Sequence, residues 1–243
     1  MKTMEVINTR KIPMSLFGTG PVGQNVEKEK DFSKRTVDSG VYAGQIKMIF
    51  AGQAASGARN VTLQLKLDDG RDYSETIYLS NKEGKNTYVK DGKEYYLPGF
   101  LLVNNLALMT AGKGLHELAA EVETRTVKLY DYDAKKELPQ DVPAIIPMIG
   151  KRVLVAILEE EYEKQSKNDA TGKYEGNGEY GIKNSIVKCY DPETRQTAVE
   201  IRDEKEATQI DSWLEANKGK LKTVERTAAP ANQKSAPTPS GLF

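Results

Sequence analysis

Lysines and tyrosines alternate with aliphatic residues along several stretches of this 243-residue chain. Gln45 and Lys47 flank Ile46. Thr62, Gln64 and Lys66 interleave with Val61, Leu63, Leu65 and Leu67, and Thr76 and Tyr78 with Ile77 and Leu79. Lys128, Tyr130 and Tyr132 follow the same rhythm around Val127 and Leu129. With the Leu and Val side taken as core, ammonium groups and phenol rings share the other face. Bases stack on ring faces while cations track phosphates, so that mixture suits an unpaired polynucleotide. Every base has a π-face, so such binding tolerates most sequences, at about 1–3 kcal/mol per stacked base. Arg59, Lys82, Lys85 and Arg152 fall in or beside loops that would extend the groove. The candidate nucleic-acid-binding set is therefore Lys47, Arg59, Lys66, Tyr78, Lys82, Lys128, Tyr130, Tyr132 and Arg152. All 12 tyrosines lie between Tyr42 and Tyr190, where phenylalanine is scarce. Tyrosine keeps a polar edge at wet surfaces, although it is also a good strand former.

The elements that position these residues read mainly as strands. Val41 to Phe50 is a long strand, Ala51 to Asn60 a flexible loop, and Val61 to Leu67 a half-buried strand by its period of two. Asp69-Gly70 supplies the positive φ of a hairpin turn, and Arg71 to Ser80 returns as a third strand. A second hairpin flanks Asp91-Gly92. Leu101, Leu102, Leu106, Leu108, Met109, Leu115 and Leu118 predict one or two helices over 98–118, broken near Gly112. Strands follow at 124–132, 151–162 and 182–190, with a loop carrying Gly172, Gly176 and Gly178, and a short helix at 206–217. A helix between the third and fourth strands is the arrangement of a small OB-like β-barrel, closed or partly open. The expected organisation is an N-terminal arm at 1–38, partly disordered, an OB-like domain at 39–217 and a flexible tail at 218–243, rich in Ala, Pro, Ser and Thr.

Composition narrows the function classes. Lys and Arg number 35 and Asp and Glu 35, so the net charge is zero. Polyanion binding then requires charge sorted by location instead of a bulk positive field. No apolar run approaches the roughly 20 residues of a membrane helix, and no apolar stretch behind the N-terminus marks a signal peptide. One cysteine, Cys189, fits a reducing cytoplasm and reads as a small apolar strand residue. One histidine, His116, reads as helix surface. With a single His and a single Cys, the usual zinc sets and His-based triads cannot be assembled. No metal or cofactor is expected.

Three motif matches carry little. Gly18-Thr19-Gly20-Pro21-Val22-Gly23 fits G-x-G-x-x-G, but no strand precedes it and Pro21 prevents a clean helix start. Glu83 and Lys85 with Asp68, Asp69 and Asp72 resemble a nuclease core only faintly, because a glycine-rich loop holds ligands poorly. Asp131, Asp133 and Glu137 offer oxygens to a hard cation, as any solvated strand end does.

The runs Ser39–Lys47, Tyr73–Asn81, Leu97-Pro98-Gly99-Phe100, Lys128–Asp133 and Lys136–Pro139 are similar, in order and spacing, to those of phage single-stranded DNA-binding proteins of the podovirus type. The resemblance covers roughly residues 39 to 190. It implies a non-enzymatic protein that coats single-stranded DNA during replication and recombination in the cytoplasm of an infected bacterium. Leu242 and Phe243, with a terminal carboxylate, form a candidate peptide ligand for replication, recombination or transcription proteins. The chain departs from the usual acidic tail of such proteins, because its last acidic residue is Glu225. Two rival readings are a phage adaptor or assembly protein using the tyrosine face, and a Mg-dependent nuclease.

Overall fold

In the computed structural model, which describes residues 36–131, 133–169 and 171–224, the alternating stretch between Gly40 and Tyr78 forms three antiparallel strands. These are β1 (Gly40–Gln53), β2 (Arg59–Leu67) and β3 (Asp72–Tyr78). Val61, Leu63, Leu65 and Leu67 are buried on one side of β2, while Thr62, Gln64 and Lys66 face the other way. Gly70 closes the β2–β3 turn at φ 91°. The loop expected over 51–60 is shorter than that, because β1 runs to Gln53 and β2 starts at Arg59.

A separate two-stranded sheet follows, β4 (Thr87–Lys90) and β5 (Lys93–Tyr96), turned by Asp91 and Gly92 at φ 52° and 74°. Both central residues lie in the left-handed region, as a type I′ hairpin requires. Helix α1 (Pro98–Ala111) begins with Pro at its first turn and stops at Gly112, whose φ of 68° gives the left-handed C-terminal cap. Its Val103, Leu106 and Ala107 enter the core beside Ile46, Leu63, Leu65 and Val155. The short helix α2 (Leu115–Leu118) comes next.

The second half of the chain adds two hairpins to the free edge of β1. The first is β6 (Val122–Asp131) with β7 (Lys136–Ile145), and the second is β8 (Arg152–Lys167) with β9 (Tyr174–Tyr190). The first half of β1 pairs with β8, and Phe50 pairs with Ala144 of β7. The result is mainly β, with an antiparallel seven-stranded sheet that does not close on itself. Two of its free edges, β3 and β9, are joined by a side chain in place of a ladder, while β6 forms a third edge. The Ile186 N–H donates to the Glu75 carboxylate at 2.7 Å, and the Tyr73 hydroxyl donates to the same oxygen at 2.8 Å. Opposite Ala156 and Ile157 the register shifts around Val187, and a bulge of this kind bends a strand out of regular pairing.

Three elements depart from the sequence reading. β7 was not expected; it lies between β1 and β6 but meets β1 in one residue pair only, so beside Pro139 and Pro143 its second side carries no ladder and proline is tolerated. β9 extends back through Gly176 and Gly178 to Tyr174. Helix α3 (Ala198–Arg202) precedes α4 (Gln209–Asn217). Glu200, 4% exposed, ties these two helices together, accepting from the backbone N–H groups of Thr197, Thr208 and Gln209. Burial opposes its charge, but those N–H groups and the Thr197 hydroxyl pull its pKa down to about 2.

The folded body also overruns the expected boundaries. Val37 is buried and hydrogen-bonded to Asn184. Past α4, Lys222 exchanges backbone hydrogen bonds with Glu159 and Glu161 of β8. The segment 218–224 therefore runs beside the sheet. The remainder of the arm and of the tail lies outside the described residues.

Candidate nucleic-acid interface

The ladders fix which side chains share the outer face of β1, β2 and β3. Residues directly paired across a sheet lie on one side. Asp72, Lys66, Gln45 and Arg152 form one row across β3, β2, β1 and β8. Ser74, Gln64 and Met48 form the next, then Thr76, Thr62 and Phe50, then Tyr78, Asn60 and Gly52. On β2 and β3 this face is small and polar, with the Thr62 and Thr76 hydroxyls 3.1 Å apart, while on β1 it carries Met48 and Phe50, which pack with Val127, Leu129, Val142 and Ala144 of the β6–β7 hairpin. Lys47 is the extra residue of a β-bulge between Ile46 and Met48, which turns its side chain outward beside Lys66.

At this end Lys47, Lys66, Arg71 and Arg152 each have a carboxylate partner. Lys47 and Lys66 reach the two oxygens of Asp72 at 3.1 and 3.3 Å. Arg152 grips Asp68 with two hydrogen bonds of 2.6 Å. Hydrogen bonds from Lys47 and Lys66 hold the Asp72 carboxyl below its ordinary range, and those from Arg152 do the same for Asp68. Asp69 accepts from Arg71, whose guanidinium lies over the Tyr42 ring at 5.3 Å. The aspartates that resemble a nuclease core are thus each bound to a cation. Among the described residues no three His, Cys, Asp or Glu side chains converge as a metal-holding group.

The other end of the face differs. Tyr78 is 52% exposed and paired with Asn60. Arg59, next along β2, alternates onto the side of Val61, and the Leu79 N–H binds its carbonyl at the start of the 79–86 loop that carries Lys82 and Lys85. Among the described residues Arg59, Lys82 and Lys85 form no ion pair. The start of α1 fixes Tyr78 in place, because Gly99 packs directly on the Tyr78 carbonyl with no room for a Cβ.

The structure therefore brings Lys47, Lys66 and Arg152 together at one end of the outer face and leaves Tyr78 at the other; Arg59 alternates onto the side of Val61, at the rim formed by the 79–86 loop with Lys82. It does not bring Lys128 and Tyr130 to this face. Val127 and Leu129 were read as core-facing, but they pack with Met48, Phe50, Val142 and Ala144 in a separate small cluster on the outer side of β1. By alternation Lys128 and Tyr130 occupy the opposite face of the β6–β7 hairpin. Tyr132, Leu242 and Phe243 lie outside the described residues. The tyrosines do not form one surface either. Tyr190 is 1% exposed inside a cluster with Ile210, and Tyr162 and Tyr174 lie on the β8–β9 hairpin. Cys189 is buried, and burial pushes its thiol up to about 12.

The sequence reading left out the exposed rings of Tyr88, Tyr95 and Tyr96 beside α1. The signal was present in the pattern Tyr88-Val89-Lys90 and Lys93-Glu94-Tyr95 around the Asp91-Gly92 turn. Compared with known protein families and with curated proteins, the chain matches none. No helix among the described residues is long and apolar enough to cross a membrane.

Proposed function

We propose that this chain binds single-stranded DNA with little sequence preference and without catalysis, through the outer face of β1, β2 and β3. The observation that carries the reading is the layout of that face. A floor of Thr62, Gln64, Ser74 and Thr76 runs between a cationic corner, Lys47, Lys66 and Arg152, and exposed Tyr78 at the other end, with Arg59 and the 79–86 loop at the rim beyond it. Rings for bases and cations for phosphates, on a surface with few base-specific donors, is how proteins hold single strands regardless of sequence.

We read the open sheet as an OB-like barrel with one unzipped seam. In support, β1 is shared between β2 and β8, α1 stands between β3 and the later strands, and Glu75 bridges the β3 and β9 edges. Our proposal extends to replication and recombination in an infected cell, which is what the resemblance to phage single-stranded DNA-binding proteins implies. A tail role for Leu242 and Phe243 in docking replication, recombination or transcription proteins belongs to the same proposal.

The test is fluorescence anisotropy with labelled oligo-dT, with duplex DNA and RNA in parallel. Log affinity for the single strand falls with log salt at a slope of about −0.7 for each phosphate neutralised. Tyr78→Ala weakens binding about 5- to 150-fold if one base stacks there. Undetectable binding of oligo-dT at low salt would overturn the proposal.

A further inference from the structure

Tyr88 and Tyr95 are directly paired across the β4–β5 hairpin, with ring centroids 5.8 Å apart. Lys90 and Lys93 are the next pair on the same face, directly opposite one another beside the turn. Like charges in that position repel and cost stability. Among the described residues neither lysine has a carboxylate partner, and nor does nearby Lys188. This contrasts with the sheet corner, where Asp68 pairs with Arg152 and Asp72 with Lys47 and Lys66. Two exposed rings followed by two uncompensated ammonium groups make a surface that lacks an anion and carries ring faces for bases.

The hairpin is also continuous with the sheet face. A cavity of about 440 Å³ lies over the seam between β3 and β9, beside Tyr78 and Thr76. A larger groove of about 850 Å³ runs along Tyr88, Tyr95, Tyr96 and Lys188. Pro98, Leu102 and Val187 line both, so the two form one path. Glu94 and Glu200 also border the groove, but Glu94 accepts from Thr87, and Glu200 is spent on the backbone N–H groups that join α3 and α4.

We infer that the β4–β5 hairpin is a second grip on the same DNA strand. A strand leaving the sheet at Tyr78 crosses the seam over Pro98 and Val187. It then stacks on Tyr88 and Tyr95, with its phosphates on Lys90 and Lys93. The inference rests on the single-stranded DNA reading and extends it by a separable site. Only strands long enough to reach the hairpin use it.

The test compares a short oligo-dT of about 6 nucleotides with one of about 20, spanning the 4–16 nucleotides that one such fold covers. Lys90→Gln with Lys93→Gln lowers the magnitude of the log–log salt slope for the long strand by about 1.4 and leaves the short-strand slope unchanged. Tyr88→Ala with Tyr95→Ala weakens long-strand binding about 5- to 150-fold and leaves short-strand binding as in wild type. Photo-crosslinking of a long 4-thiothymidine strand to the wild-type protein places adducts on peptides from 87–96. Melting curves for both variants verify folding, and the lysine pair, fully on the surface, serves if the tyrosine pair does not fold. Variants that bind both lengths like wild type, with no adducts on the hairpin, overturn the inference. So do variants that lose self-association or a protein partner while keeping long-strand affinity. If the wild-type protein binds neither strand, it is the underlying DNA reading that fails.

Discussion

Replacing Asp72 by Asn removes the carboxylate that competes with DNA for two lysines. Lys47 and Lys66 stand 3.1 and 3.3 Å from its oxygens, and all three side chains are well exposed. A phosphate drawn to both lysines meets that carboxylate as a like charge, and both exposed ion pairs must open to receive it. Asp72→Asn is therefore expected to bind oligo-dT about five-fold more tightly at low salt, the scale of an exposed ion pair. The gain shrinks toward about 0.15 M salt as the Debye length falls to about 8 Å. The log–log slope steepens by up to about 0.7 for each lysine released to a phosphate. Anisotropy titrations at about 50 and 200 mM salt measure both quantities. Glu175→Gln, a charge removal on the far part of the β8–β9 hairpin, is the control, expected to shift affinity less than about two-fold. Equal or weaker binding by Asp72→Asn, or an equal gain from Glu175→Gln, would refute the claim that the strand lies over this corner.

Gly99→Ala forces a Cβ onto the Tyr78 carbonyl, so the start of α1 and the end of β3 must separate. A loss of about 1–3 kcal/mol in denaturant unfolding is expected, with weaker oligo-dT binding under conditions where the variant remains folded; unchanged stability would show that the two segments do not pack this closely. Glu75 is pushed above its ordinary 4.5 by burial, against the pull of the Ile186 N–H and the Tyr73 hydroxyl. A raised folded-state pKa means that its contribution to stability is full below about 4.5 and is lost as pH rises through the folded value. Glu75→Gln keeps an acceptor for Ile186 without the charge, so its melting temperature relative to wild type climbs between about pH 4 and pH 8. A difference that stays flat or falls over that range would contradict the buried carboxylate.

The alternating strands β1 to β3, the Asp69-Gly70 and Asp91-Gly92 turns and the break between α1 and α2 were legible because their physics is local. A side-chain period of two, a glycine at positive φ and a proline at a helix start act within a few residues. Helix α3 was legible too, through the capping box from Thr197 to Glu200, although it was not read. β7 was hidden by Pro139 and Pro143, whose local preference is overruled because they pair with β6 on one side and meet no ladder on the other.

The candidate site divides along the same line. Sequence alone sufficed to put Lys66, Thr76 and Tyr78 on outward positions, because each neighbours a buried aliphatic residue in its own strand. It could not reveal that Val127 and Leu129 face Phe50 outside the main core, which sends Lys128 and Tyr130 to the other side. Nor could it pair Lys47 with Asp72, 25 positions on, or Arg152 with Asp68, 84 positions back. Which face a strand buries, and which charges meet, depend on how β1 is shared by three neighbours and where its bulge falls. Those are properties of the assembled sheet, set by contacts between residues far apart in the chain.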